Sequence, residues 1–397
     1  MTKRLVAFLF IANIGLMLFA AEKGEFSYLS IASKVALSDI QRNPEAWRID
    51  FNQTPKWDYC QGLMVTALLK LYDETSDTLF YHYVKRFADF MIDSMGNVRT
   101  YQINEFSLDR VNGGKFLMVL YRKTHQQNYL KAIQQFRYQL LLQPRTSDSG
   151  FWHKAVYPHQ MWLDGAYMAS PFLAQYGRMF NDTTALSEAI RQLLLLAKHT
   201  YDPLTGLYYH AWDESRNQRW ANKITGQSPN FWSRSMGWYM MALVDVLDFV
   251  PDHNPHRKEL ISIFRRLTNA LLKYQDPSTG LWYQVTDRIG SKGNYLESSS
   301  TAMFMYAITK GFNKGYLDRH FLDVAKTTFQ QFLRYAVVKE QNGSYTIRKA
   351  CAVAGLGGNP YRDGSYQYYI SEPQRDNDPK VIAPFLMWAI QLYKASY

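Results

Sequence analysis

The sequence predicts an all-α protein: an (α/α)6 barrel, or toroid, with short strand-containing loops gathered on one face. Three observations point there. Six helical runs are apolar nearly all round, so each belongs inside. Amphipathic segments with one polar face stand between them. Connections from an amphipathic segment to the next apolar run are long, whereas the reverse connections are short. An inner ring of buried helices wrapped by an outer ring satisfies all three. An open superhelical stack is the alternative, but it needs capping repeats and a regular repeat length, and these units recur at irregular intervals of roughly 50 to 80 residues.

In chain order, residues 1–21 read as a secretory signal. Lys3 and Arg4 form a positive start, Leu5–Phe19 is apolar, and Ala20-Ala21 offers a cleavage site. The apolar run is short for a membrane span, and no Cys follows it for lipid attachment. A secreted or periplasmic protein without stable membrane insertion after signal cleavage is therefore expected. Residues 22–397 are expected to form a single (α/α)6-barrel domain, because no Pro/Gly/Ser-rich linker divides them.

The first outer helix is expected at Phe26–Arg42 and the first inner one at Trp57–Tyr72. Outer segments follow at Tyr81–Ser94, Tyr129–Leu142, Thr184–Thr200, Arg257–Tyr274 and Asp318–Tyr335. Each has apolar positions at i, i+3, i+4 and i+7, with Lys, Arg or Gln between. The remaining inner runs are Leu108–Tyr121, Trp162–Tyr176, Trp232–Leu247, Leu296–Lys310 and Asp376–Tyr393. The long loops Asp202–Asp213 (DPLTGLYYHAWD) and Asp276–Asp287 (DPSTGLWYQVTD) pair a Gly turn with alternating aromatic and polar residues, as in a short strand. Ser147–Ala155 and Gln341–Ala350 are related to them. All precede inner helices, so all meet on one face, where a site is expected.

Composition narrows the function. The 397 residues are 47% hydrophobic and 16% aromatic, enough for a large core. The 10 Trp and 29 Tyr suit sugar binding as well as core packing. The formal charge is +11, or +9 once Lys3 and Arg4 are removed. Lys and Arg are scattered with no nucleic-acid motif, so an acidic sugar fits better than nucleic acid. Cys60 and Cys351 lack metal-ligand spacing and read as buried thiols, although an oxidising compartment allows a disulfide.

The starts of the inner helices bring Asp58, Tyr59, Asp109, Asp164, Ser233, Arg234, Glu297, Asp376 and Asp378 to one mouth. Any one of these carboxylates could be only a helix cap. Several together, with Trp, His and Arg between them, suit acid/base work on a glycosidic bond. Taken singly, Lys154 reads as a surface charge, His210 as a loop histidine and Trp232 as core. Arg234 just inside a buried helix needs an anion, either from a ligand or from an internal partner such as Asp164.

The motifs WDYCQG (Trp57–Gly62), SLDRVNGGK (Ser107–Lys115), HK…YPHQMWLDGAYMASPFLAQYG (His153–Gly177), YYHAWDE (Tyr208–Glu214), NFWSRSMGW (Asn230–Trp238) and YLESSSTAMF (Tyr295–Phe304) occur in order. In combination the chain resembles the unsaturated rhamnogalacturonyl/glucuronyl hydrolases of glycoside hydrolase family 105, from about Trp57 to Trp388. One departure is Ser235-Met236-Gly237-Trp238, where that family more often has Gly-Asn-Gly-Trp.

The resemblance implies an (α/α)6 barrel that removes a 4,5-unsaturated uronic acid from the non-reducing end of polysaccharide-lyase products. Unsaturated rhamnogalacturonan oligosaccharides are the default substrate. It implies protonation of C4, addition of water at C5 and collapse of the hemiketal, with no metal or organic cofactor. It assigns Asp164 as acid/base and Asp109 as the second carboxylate. Tyr59, Lys154 and His210 are assigned to hydrogen-bond the uronate, Trp232 to stack on its ring and Arg234 to pair with its carboxylate. The expected partner is thus an anionic oligosaccharide; oligomeric state is not legible. Two other readings stand beside it: an ordinary inverting glycosidase or epimerase using Asp109 and Asp164, and a non-catalytic sugar-binding protein.

Overall fold

The computed structural model describes residues 27–397; the expected signal at 1–21 lies outside them. The chain runs through α1 (Tyr28–Arg42), α2 (Tyr59–Thr75), α3 (Thr78–Met91), α4 (Leu108–Val111), α5 (Gly114–Thr124) and α6 (Gln127–Leu142). Strand β1 (Gln160–Trp162) leads into α7 (Leu163–Phe180) and α8 (Thr183–Thr200), and β2 (Ala211–Asp213) precedes α9 (Ser233–Val246), α10 (Arg257–Leu272), α11 (Ser298–Asn313) and α12 (Arg319–Ala336). The last elements are β3 (Val337–Lys339), β4 (Tyr345–Ile347), β5 (Ala350–Cys351), α13 (Tyr366–Ser371), β6 (Gln374–Arg375) and α14 (Pro379–Lys394).

The inner ring is α2, α4–α5, α7, α9, α11 and α14, each packed on the next, and α14 closes the circle against α2. The inner helices are buried on nearly every face. In α9 every residue is buried, as are Ser298 through Gly311 of α11. The outer helices bury one stripe, as in α12, where Phe321, Leu322, Ala325, Phe329, Phe332 and Leu333 face inward. One apolar core extends from α1 to α14.

The short connections make the hairpins. Helices α2, α5 and α7 end in Ser76, His125 and Asn181, each left-handed at φ near +57° (58°, 56° and 56°), and the next helix starts two residues later. Of the outer helices, each inner helix therefore packs most on the one that follows it, and α1 packs on α14, so the chain's two ends complete the outer ring. The second inner helix departs from expectation. It is broken at Asn112-Gly113, where a Cβ on Gly62 of α2 would meet the Gly113 nitrogen at 2.8 Å. Close approach of α2, together with Trp57 packed over Gly113, explains both the glycine and the break.

Candidate active site

The inner helices start at one end of the barrel, and their caps sort the carboxylates. Asp58, Glu297 and Asp378 are N-caps whose side chains accept from the first backbone N–H groups of α2, α11 and α14. Asp109 and Asp164 are not caps. Ser107 and Trp162 hold those positions, and each aspartate lies one residue inside its helix, in the first turn. These two carboxylates are left available for other work.

A backbone ladder lines them up. Leu108 N–H donates to the carbonyl of His153, and His153 N–H donates to that of Gln160 at the start of β1. Strand β1 pairs antiparallel with β2, Trp162 opposite Ala211, and Leu163 N–H donates to the His210 carbonyl at 3.0 Å. The starts of α4 and α7, the His153-Lys154 segment and His210 thus lie side by side. Gly165 permits this crowding: a Cβ there would stand 3.0 Å from Leu108 Cδ1 and 3.2 Å from His153 Nδ1.

The two carboxylates have different surroundings. Asp109 is buried, with Oδ2 2.5 Å from Lys154 Nζ and Oδ1 3.5 Å from His153 Nε2. Burial raises its pKa, but the Lys154 charge and hydrogen bond, with the Arg110 charge behind them, outweigh this and hold it below the ordinary carboxylate value. Burial pushes His153 down to about 4, so it is neutral near pH 7. Asp164 is partly open. Its Oδ2 is buried 3.1 Å from His210 Nε2, a close polar contact off the line of a hydrogen bond, while 14% of the side chain stays exposed. His210 itself is fully buried, and its Nδ1 lies 2.7 Å from the Tyr369 hydroxyl. Burial drives the Tyr369 phenol well above its usual pKa, so it keeps its proton.

Two small apolar clusters support the mouth. One joins Trp162, Ala211, Trp220 and Leu356, with Tyr157 and Tyr361 against it. The rings of Tyr157 and His153 lie near parallel to Trp162, at 4.6 and 4.9 Å. The other joins Trp232, Val285, Cys351 and Tyr369 beneath His210. Cys60 and Cys351 are free, buried thiols.

The structure brings Asp164, His210, Asp109 and Lys154 together. Tyr59 presents its phenol near them, edge-on to Trp238 at 6.1 Å, and burial keeps that hydroxyl protonated. Two expected contacts differ. Trp232 is 1% exposed, packed on His210 and Tyr369, and its indole N–H donates to Gln284 Oε1 at 3.0 Å. It has no open face for a sugar and instead supports His210. Arg234 is also 1% exposed. It donates to Ser299 Oγ at 2.7 Å, to Glu297 at 3.3 Å and to the carbonyls of Cys351 and Ala352. Its anion is internal, and that anion is Glu297 rather than Asp164. Beside it, Met236 takes the Tyr208 N–H at 3.5 Å and Gly237 lies against Met303, so the Ser-Met-Gly departure serves packing.

Two residues escaped the sequence reading. Tyr369 lies on the short helix α13, which has no periodic signal. Arg362 lies in the same loop region, held by the carbonyls of Gly357 and Leu356 and by Tyr157 Oη at 3.0 Å, with no hydrogen bond from Nη1 among the described residues. The run of Gly, Pro and Arg at Gly355–Gly364 was the available cue.

A helical toroid that sets two uncapped carboxylates, a buried histidine and aromatic walls at its mouth has the arrangement of a glycoside hydrolase. The glycosyl hydrolase family 88 model matches residues 31–396, and the chain belongs to that family. It is similar to a family 105 glycoside hydrolase of C. acetobutylicum ATCC 824, at 38% identity and a TM-score of 0.87 over 92% of this chain and 99% of that one. It is 38% identical over 226 residues to the 24.9 kDa protein in the picA locus of Rhizobium radiobacter, covering 55% of this chain and 96% of that protein. It is 26% identical over 252 residues to the unsaturated rhamnogalacturonyl hydrolase YesR of Bacillus subtilis, 62% of this chain and 68% of that enzyme.

Proposed function

We propose that this glycoside hydrolase removes 4,5-unsaturated uronic acid from the non-reducing end of lyase-generated oligosaccharides, with rhamnogalacturonan fragments as first choice. The observation that carries the reading is Asp164: not a helix cap, with Oδ2 against His210 and the side chain still partly open. Its likeness to an enzyme named an unsaturated rhamnogalacturonyl hydrolase supports the substrate class.

The chemistry follows from one carboxyl group. Asp164 gives its proton to C4, and the C4=C5 electron pair forms the new C–H bond. Positive charge spreads over C5 and the ring oxygen. Water adds at C5, and its proton returns to Asp164. The resulting hemiketal opens and expels the remaining sugar. Asp109, ionised beside Lys154, orients hydroxyls and leaves Asp164 as the proton carrier. With Arg234 spent on Glu297, Arg362 receives the uronate carboxylate through Nη1, and Tyr59 contributes its hydroxyl.

The test is spectroscopic. Incubation with lyase-digested rhamnogalacturonan should abolish the ultraviolet absorbance of the unsaturated uronide, and Asp164→Asn should not. Persistent absorbance while saturated glycosides are cut would instead establish an ordinary glycosidase. The N-terminal Lys3-Arg4 and Leu5–Phe19 pattern supports a secreted or periplasmic location, which N-terminal sequencing of the mature protein would check.

A further inference from the structure

A cavity of about 690 Å³ lies at the end of the barrel opposite the mouth, between the later turns of α2, α7 and α9 and helix α5. Its walls are apolar at Leu69, Phe116 and Met179, and Lys70, Lys115, Arg122 and Arg178 also line it. Its three carboxylates are already engaged by cations outside the lining. Asp73 is 3.5 Å from Lys123, Asp245 is 2.6 Å from Lys310, and Asp248 contacts Lys310 at 2.6 Å and Lys314 at 3.0 Å. Among the described residues, none of the four lining cations has an ion-pair partner.

Arg122 and Arg178 stand in the last turns of α5 and α7, where a cation offsets the helix dipole. That account fails for Lys115. It lies in the first turn of α5, where the dipole disfavours a cation, and it is 5% exposed. Among the described residues its Nζ has no hydrogen-bond partner, and it sits 3.6 Å over the Tyr167 ring. Burial lowers its pKa to about 7, with Asp245 opposing the fall and Lys70 adding to it. A buried amine held so poorly by its own protein is a costly feature unless something else completes it.

We propose that this cavity is a second binding site, for a small organic or inorganic anion, in which Lys115 and Lys70 meet the charge and Arg122 and Arg178 guard the entrance. A carboxylate or phosphate attached to a compact carbon skeleton suits both the cations and the apolar walls. The site is separate from the mouth chemistry, so it stands or falls independently of it.

Isothermal titration of the full chain with inorganic phosphate, and of the full-length Arg362→Met variant with galacturonate so that the mouth does not compete for the uronate, tests this. Saturable binding of either probe is expected, phosphate marking an oxyanion site and galacturonate a sugar-acid site. Lys115→Met and the Arg122→Ala/Arg178→Ala pair should each weaken it by about tenfold or more, while Asp164→Asn binds phosphate as the wild type does. No saturable binding of either probe at millimolar concentration overturns the proposal. So does affinity unchanged in the rear variants, or phosphate affinity lost in Asp164→Asn. The arginine pair is exposed and keeps the test decisive if Lys115→Met does not fold.

Discussion

The Tyr369 hydroxyl sits 2.7 Å from Nδ1 of His210, on the ring edge opposite Asp164. A phenol that keeps its proton donates to Nδ1 and leaves the imidazole N–H on Nε2, facing Oδ2 of Asp164. Tyr369 thereby sets the histidine tautomer without touching substrate. Tyr369→Phe keeps the ring that packs on Trp232 and removes only this bond. We expect kcat to fall by about tenfold or more, KM to change little, and the pH profile of kcat to move. An unchanged profile with normal kcat would show that His210 needs no such orientation.

Arg234 and Glu297 make a fully buried pair between α9 and the cap of α11. Arg234→Met leaves the Glu297 carboxylate without its cation, although Ser299, Ser300 and Cys351 still donate to it. Breaking one side of such a pair costs about 3–5 kcal/mol. Denaturant unfolding should show that loss, and Glu297→Gln should also destabilise. A variant as stable as the wild type, with only a raised KM, would restore Arg234 to the substrate.

The role of this pair marks where sequence stops being legible. All-round apolarity places the six inner helices within a few residues of their observed bounds, because burial alone explains that pattern. A lone Arg234 announces that it needs an anion, but Glu297 lies 63 residues away and nothing local selects it over Asp164. Likewise, LDR and LDG do not say whether the aspartate is the cap or lies two residues past it. That two-residue phase separates Asp109 and Asp164 from Asp58, Glu297 and Asp378. The three-residue pairing of β1 with β2, which brings His210 to Asp164, is too short to carry a strand pattern.

Acid should act on His153. Its pKa is about 4 in the folded protein, set by burial, against about 6.5 in an unfolded chain. Between those values only the unfolded chain binds the proton, so the stability due to neutral His153 is complete above pH 6.5 and is lost as pH falls towards 4. The window amounts to about 3 kcal/mol. Asp39 opposes it: burial raises Asp39 to about 6, so its contribution increases on acidification over much of the same range. Comparison with His153→Gln removes that term. Wild type should lose about 3 kcal/mol more than the variant between pH 6.5 and 4, and parallel unfolding curves would refute this.

Arg362 is a mouth cation whose Nη1 makes no hydrogen bond among the described residues. Three acceptors, the carbonyls of Gly357 and Leu356 and the hydroxyl of Tyr157, fix the guanidinium plane. Tyr157 in turn lies parallel to Trp162, the residue that caps the helix carrying Asp164. A carboxylate bound at Nη1 is therefore held in register with the acid. Arg362→Met keeps the aliphatic stem and removes the charge, so it should raise KM for the unsaturated uronide by about tenfold or more and lower kcat less. The distinction from a structural role lies in the substrate. Amidation of the uronate carboxylate should cost the wild type a similar factor and the variant almost nothing. If the variant discriminates against the amide as strongly as the wild type does, the carboxylate is received elsewhere in the mouth.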